Sequence, residues 1–280
     1  MHEFNEKVAV VTGAASGIGA ALARRFASEG MKLVLADIDT EGLEGVADAL
    51  RSGGTQVLTV SCDVSDAAAV EALADATVAE FGQIDLVCNN AGVGSGGLME
   101  GLTVKDWQWT LGVNLWGVIN GMITFLPRLI AQGSGHIVNT ASAAGLISAP
   151  FMGPYAVSKF GVVAMSEATY HELAMSGSDV GISVLCPAWV STRIHESDRS
   201  RPDHLRNELS GTPDEQAAGI AEVMRAVIEA GMDADDVAAQ VVDAVRADRF
   251  YILTHPDVKE LVRRRTEAIL NDEPPPFAMP

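Results

Sequence analysis

Short runs of β-branched and other apolar residues alternate along the chain with longer stretches in which apolar positions recur every three or four residues. The runs are "KVAVVT" (7–12), "KLVLAD" (32–37), "QVLTVSC" (56–62), "IDLVCNN" (84–90), "GHIVNTAS" (135–142), "GISVLCP" (181–187) and "RFYIL" (249–253). The helical period predicts helices over 18–29, about 66–81, about 103–131, a stretch carrying Tyr155, and more helix between 187 and 249. Runs that are apolar throughout, rather than at alternate positions, mark strands buried on both faces. Strands separated by helices mark a parallel sheet with crossovers. The pattern therefore predicts an α/β chain with a doubly wound parallel sheet. In such sheets ligands sit beyond the carboxyl ends of the strands, so the residues just after each run carry the most weight.

Composition narrows this without changing it. The chain has 280 residues, a length at which an α/β sequence commonly folds as one domain. A single domain is expected over 1–272, followed by an extended Pro-rich tail, "EPPPFAMP", over 273–280. The formal net charge of −18 repels phosphate backbones and anionic lipid, so neither nucleic acid nor a membrane surface is an expected partner. No stretch reaches the ~18 consecutive apolar residues of a membrane span, and the first residues lack a signal-peptide pattern, which points to a cytoplasmic protein. Cys62, Cys88 and Cys186 lie in apolar strand-like runs, as buried thiols do, so neither a disulfide nor a metal site is expected.

The first run is followed by "TGAASGIG" and then by a helical pattern. Gly13, Gly17 and Gly19 permit a tight turn and close backbone approach, and the N–H groups opening the helix, at Ser16 to Gly19, form a site for a pyrophosphate. Asp37 ends the second run, 18 residues beyond Gly19. A carboxylate there accepts hydrogen bonds from ribose hydroxyls and repels a 2′-phosphate, and neither neighbouring Ile38 nor Ala14 and Ala15 supplies a cation. The expected cofactor is NAD. Asp37 could equally cap the turn that follows it.

A second pattern lies in "YAVSK". In a helix, Tyr155 and Lys159 share one face about 6 Å apart along the axis, close enough for an ammonium to act on a phenol. In isolation the pair reads as well as a core aromatic beside a solvated lysine. Taken with "TGAASGIG", "CDV" (62–64), "NNAG" (89–92), "GVNLWG" (112–117) and Ser142, in this order, it makes the chain resemble the short-chain dehydrogenase/reductase family from residue 7 to about 192. That resemblance implies a Rossmann-type fold and an oxidoreductase with Tyr155 as general acid/base. It further implies that Lys159 lowers the tyrosine pKa and holds the nicotinamide ribose, that Ser142 binds the substrate oxygen, and that Asn114 completes a proton relay. The chemistry suits these residue types, since a free tyrosine with pKa about 10 is a poor base at pH 7 until its phenolate is stabilised. An asparagine at 114 could also be structural. The resemblance also implies adenine contacts at Asp63 and Val64, ribose contacts at Asn90, Ala91 and Gly92, and carboxamide contacts from Pro187, Val190 and Thr192. Here Ala188 and Trp189 follow Pro187 where the family usually has glycine.

A helical substrate cap is implied over about 193–232. Within it Ile220, Val223, Met224, Val227 and Ile228 form an apolar stripe whose ordinary meaning is core packing. Val93, Ala144, Leu146, Phe151, Met152 and Trp189 are the candidate substrate-pocket residues and favour a bulky hydrophobic secondary alcohol or ketone. The stretches 114–131 and 250–265 also resemble bacterial dehydrogenases of benzylic alcohols from lignin-type aryl ethers. Competing readings are an NADPH-dependent 3-oxoacyl-carrier-protein reductase, a hydroxysteroid-type dehydrogenase, and a non-catalytic dinucleotide sensor. Helices near 112–131 and 155–175 are expected to pair across a two-fold axis, giving a homodimer or homotetramer; Gly117, Gly121, Ala164 and Ala168 would permit close packing there but could equally face the sheet.

Overall fold

The computed structural model describes residues 1–207 and 215–277, the side chains of 215–218, 220 and 221 excepted. Positions 208–214 of the cap and 278–280 of the tail lie outside the described residues. Seven strands, β1 (Val8–Thr12), β2 (Lys32–Asp37), β3 (Val57–Ser61), β4 (Leu86–Asn89), β5 (Gly135–Thr140), β6 (Val180–Cys186) and β7 (Tyr251–Leu253), form one parallel sheet in the order β3-β2-β1-β4-β5-β6-β7. Chain order reverses between β1 and β4, so the crevice that a doubly wound sheet opens at its switch point lies beyond Thr12 and Asn89.

Alternation along each strand divides its apolar run between two cores. Ala9 and Val11 face one, with Leu22 and Phe26 of α1 (Gly17–Ser28), Leu43 and Ala47 of α2 (Thr40–Ser52), and Val237 and Val241 of a later helix over 234–246. Val8 and Val10 face the other, with Leu73 of α3 (Ala67–Phe81) and the helices that follow β4 and β5. Both faces are dry, which is why the runs carry no polar alternation.

The element ending in β2 and the one beginning at β3 are joined by α2, a helix the apolar pattern did not single out. Asp39 caps it by accepting the Gly42 N–H at 3.0 Å, and its buried side is only Leu43, Ala47 and Leu50. Only three of its 13 residues are buried, but they fall at i, i+4 and i+7, so the helical period was present in the sequence over this stretch.

The long stretch after β4 is a composite: α4 (Val104–Leu111), a π-turn (Gly112–Trp116) and α5 (Gly117–Gln132). Although it holds no unbroken run of 18 apolar residues, it is long and apolar enough, by length and mean hydropathy alone, to cross a membrane. Half of that apolar window is buried inside the protein against the sheet. Then follow α6 (Gly153–Ser176), α7 (Glu215–Glu229), α8 (Ala234–Arg246) and α9 (Val258–Leu270). Gly117 and Gly121 face inward, the second of the two placements open to them. A Cβ at Gly117 would lie 2.6 Å from Val64 Cγ2, and one at Gly121 would land on the Asn89 side chain, so both glycines exist to let α5 approach the sheet. Ala164 and Ala168 are exposed, as are Trp116, Ile123 and Val157.

Candidate active site

A cleft of about 1280 Å³ opens along the carboxyl ends of the strands. Its dinucleotide side is built from backbone. Gly13 has φ +68°, and a Cβ there would meet Ala91 Cα at 2.7 Å, while one at Gly19 would land on the Gly13 carbonyl oxygen. Ser16 precedes α1 in extended conformation without capping it, and the first turn holds no acidic residue. The leading N–H groups of α1, at the cleft wall with Ser16, Gly17, Ile18 and Gly19, are thus left with their partial positive charge for an anion.

Asp37 lies at the rim, and its hydrogen bonds are those of the turn-capping alternative. One oxygen accepts the Ala15 N–H at 3.0 Å, tying the glycine loop to β2, and the other accepts the Asp39 N–H at 3.0 Å, turning the chain into α2. Ile38 stands exposed beside it. Asp63 folds onto Ser65, accepting from its N–H at 2.9 Å and its hydroxyl at 2.7 Å, and Val64 is pinned from α5 by Asn120 Nδ2, which donates to the Val64 carbonyl at 2.8 Å.

Asn90, Ala91 and Gly92 are held by a residue the sequence reading passed over. Thr12 Oγ1 accepts the N–H groups of Asn90 (2.9 Å) and Ala91 (3.1 Å), and its hydroxyl donates to the Cys88 carbonyl at 3.3 Å. Asn90 Nδ2 returns a bond to the Thr12 carbonyl at 2.9 Å, and Thr140 Oγ1 donates to Asn90 Oδ1 at 3.3 Å. Thr12 ends an otherwise apolar strand, and Thr140 ends a strand that also buries His136 and Asn139. A buried hydroxyl needs partners, and that was the signal available in the sequence.

Ser142, Tyr155 and Lys159 converge on the floor between β5 and α6. Ser142 Oγ donates to the Pro187 carbonyl at 3.3 Å, accepts the Ala144 N–H at 3.1 Å, and stands near enough to the Tyr155 phenol to lower its pKa. Lys159, only 3% exposed, donates to the Thr140 carbonyl at 2.9 Å and stands 5.7 Å from the centre of the Tyr155 ring. Burial pulls the Lys159 ammonium down to about 8, with a small opposing pull from Cys186. The expected lowering of the tyrosine by Lys159 is not what the protein by itself does. Burial raises the Tyr155 phenol above its ordinary value, and only the Ser142 hydrogen bond acts against that.

Asn114 is fully buried in the π-turn and clamps the Val93 backbone from both sides, accepting its N–H at 2.8 Å and donating to its carbonyl at 2.9 Å. Its Oδ1 and Lys159 Nζ flank the same side of Gly92, at 3.4 and 3.6 Å from where a Cβ would stand. The side chain is therefore a structural clamp within reach of the lysine, rather than a member of the cleft wall. A π-turn supplies the extra backbone bulge that turns one helical side chain into this position.

Of the remaining candidates, Pro187, Val190 and Thr192 line the cleft, with Thr192 packed on Gly17. Val93, Ala144, Phe151, Met152 and Trp189 line its other half. Leu146 does not: it follows the short turn after Ser142 and packs against the core that holds α6. In the cap stripe, Met224 and Ile228 face the cleft and Val223 is exposed, while the Ile220 side chain lies outside the described residues.

The glycine loop, the threonine-clamped "NNAG" turn and the Ser142–Tyr155–Lys159 floor define a short-chain dehydrogenase, and the family model "short chain dehydrogenase" matches residues 7–203. The chain belongs to that family. A short-chain dehydrogenase/reductase of Burkholderia phymatum, solved in complex with NAD, is 46% identical over the whole of both chains with a TM-score of 0.96. The "CLA biosynthesis dehydrogenase/reductase" of Lactiplantibacillus plantarum is 35% identical, covering 98% of this chain and 97% of the relative. The "C alpha-dehydrogenase" of Sphingobium sp. (strain NBRC 103272 / SYK-6) is 34% identical, covering 98% and 89%.

Proposed function

We propose that this oxidoreductase transfers hydride between NAD(H) and a bulky apolar secondary alcohol or ketone, with Tyr155 as general acid/base. The observation that carries the reading is the placement of Ser142 Oγ beside the Tyr155 phenol, at the point where the glycine-lined half of the cleft meets its apolar half. The residues fit a dinucleotide: an uncapped helix N-terminus for the pyrophosphate, Asp37 for the adenosine ribose, and Lys159 for the nicotinamide ribose. With Asp37 and Asp39 lining that rim, a 2′-phosphate would meet carboxylates, which supports NAD over NADP.

Ser142 holds the carbinol oxygen against the phenol, and Tyr155 takes the hydroxyl proton as the carbon loses hydride. NAD, when bound, would supply the hydride acceptor and a positive charge. In the ketone direction Tyr155 returns the proton to the oxygen. Burial raises the Tyr155 phenol above its ordinary value and the Ser142 hydrogen bond acts against that, so stabilising the phenolate would fall to Ser142, to the Lys159 ammonium and to the positive charge of the cofactor when bound. The apolar half, with Val93, Phe151, Met152 and Trp189, supports a large substrate, and the resemblance over 114–131 and 250–265 makes benzylic carbinols the first to try. The exposed apolar side chains Trp116 of the π-turn, Ile123 of α5 and Val157 of α6 support assembly through those helices. The test is NAD reduction at 340 nm across a panel of secondary alcohols. Absorbance growing with benzylic or long-chain members supports the reading, and silence across the panel rejects it.

A further inference from the structure

Beyond the glycine loop and the floor, one charged cluster lines the cleft and takes no part in the chemistry. It joins the cap to the start of α4. Arg201 Nη2 donates to Asp106 Oδ1 at 2.8 Å, with both side chains only 10% exposed, and the guanidinium lies 4.9 Å above the Trp109 ring. Asn207 Nδ2 donates to the same carboxylate at 3.0 and 3.1 Å, and Thr103 Oγ1 donates to Asn207 Oδ1 at 2.7 Å. Lys105 Nζ donates to the Arg206 carbonyl at 2.9 Å, and Arg201 Nε closes the segment on itself through the Leu205 carbonyl at 2.8 Å.

Among the described residues, every hydrogen bond that joins 201–207 to the chain outside the cap ends within 103–106. One turn of α4 is therefore the whole polar attachment of this part of the cap. Asp106 is fixed before the cap arrives. Its Oδ2 accepts the Thr103 N–H at 2.7 Å in a capping box and lies 2.9 Å from the Thr103 hydroxyl, whose single hydrogen is shared with Asn207 Oδ1, so the carboxylate is held on the α4 side independently of the cap. Such an anchor is stiff on one side and releasable on the other.

We infer that Asp106 and Arg201 are a latch: they hold segment 201–207 over the apolar half of the cleft and position it for the substrate, without touching the dinucleotide half. The inference rests on the dehydrogenase reading for its kinetic consequence, but the latch itself is legible without activity. Arg201→Met and Asn207→Ala leave the Thr103–Asp106 capping box intact, and Arg201→Lys keeps the charge. Limited trypsin digestion of the full chain, mapped by mass spectrometry, reports cap opening after Arg199 and Arg206. Arg201 itself precedes Pro202 and is a poor site in any variant.

Loss of one buried charged hydrogen bond should raise cleavage at these two positions by about tenfold in Arg201→Met, and KM for the alcohol by a similar factor. The Kd of NADH, read by fluorescence, should not move, and Arg201→Lys should recover most of the protection. Unchanged cap cleavage in both Arg201→Met and Asn207→Ala overturns the latch. So does cleavage that rises equally at sites far from the cap, such as Arg24 and Arg51, with a lowered Tm, because that is general destabilisation. If no alcohol reduces NAD, the dehydrogenase reading fails on its own, and the digestion still decides the latch.

Discussion

The two halves of the cleft are made by different means. The dinucleotide half is backbone against backbone: Gly13 against Ala91, Gly19 against Gly13, and the "NNAG" turn hung on Thr12 through two N–H groups. The substrate half is side chain against side chain, with Trp189, Met152 and Phe151 as wall and the Asp106–Arg201 pair as fastening. Backbone geometry leaves no room for a Cβ and hence little room for change, whereas side chains can be exchanged for others of similar volume. A molecule built this way keeps one cofactor and can alter its substrate.

The sharpest test of that division is Tyr155→Phe, which removes one oxygen from the junction of the halves. Turnover should fall by at least roughly a hundredfold while the Kd of NADH stays the same. Surviving turnover would remove Tyr155 as the base and with it the claim that chemistry sits at the junction.

Lys159 offers the next largest effect, and it is on stability. Burial holds its ammonium at about 8, below the ordinary 10.5, so keeping it charged in the fold at pH 7 costs up to about 3 kcal/mol. Lys159→Met should therefore unfold at higher denaturant than the wild type at pH 7, though inactive. The sign follows from the depressed pKa. Below pH 8 folded and unfolded chains are both protonated and the penalty is complete. Between 8 and about 10 the unfolded chain holds the proton that the folded one has lost, so wild-type stability rises with pH and the gap to the variant closes. A gap independent of pH across that window would mean that Lys159 is not buried as a cation. The raised phenols of Tyr155 and Tyr251 act in the opposite direction above 10, which sets the upper limit of the measurement.

On the cofactor side, Asp37→Ala combined with Ile38→Arg should raise the NADP-to-NAD ratio of kcat/KM by about tenfold or more, since a repelling carboxylate is replaced by a bidentate cation. The accompanying loss of the Asp37 bond to Ala15 should weaken binding of both dinucleotides somewhat. A ratio that does not move would show that Asp37 serves the turn alone.

The smallest effects belong to the substrate half. Each methylene-equivalent buried is worth about 0.8 kcal/mol, close to fourfold in kcat/KM, so activity should climb from propan-2-ol through 1-phenylethanol to larger benzylic alcohols. Trp189→Ala should flatten the upper end of that series and leave the lower end in place. Equal losses across the series, with a lowered Tm, would make Trp189 a structural residue.

What the sequence determined by itself is whatever depends on neighbours along the chain. Apolar runs of one strand's length, the glycine loop, the four-residue spacing of Tyr155 and Lys159 and the cap of Asp37 over the following turn are local, and each is where the residues imply. α2 was legible in the same way, through its Asp39 cap and the helical spacing of Leu43, Ala47 and Leu50, although few of its residues are apolar. Everything else needed the register of β1 against β4 and of the cap against α4. Thr12 meets Asn90 across 78 residues, and Asp106 meets Arg201 across 95. Asn114 clamps Val93 only because a π-turn adds a backbone bulge, and Leu146 turns into the core although its neighbour Ala144 faces the cleft. The pKa of Tyr155 belongs with these. Spacing brings a lysine near the phenol, but the balance between attraction and desolvation is set by how much of the fold encloses both, and here enclosure is the larger.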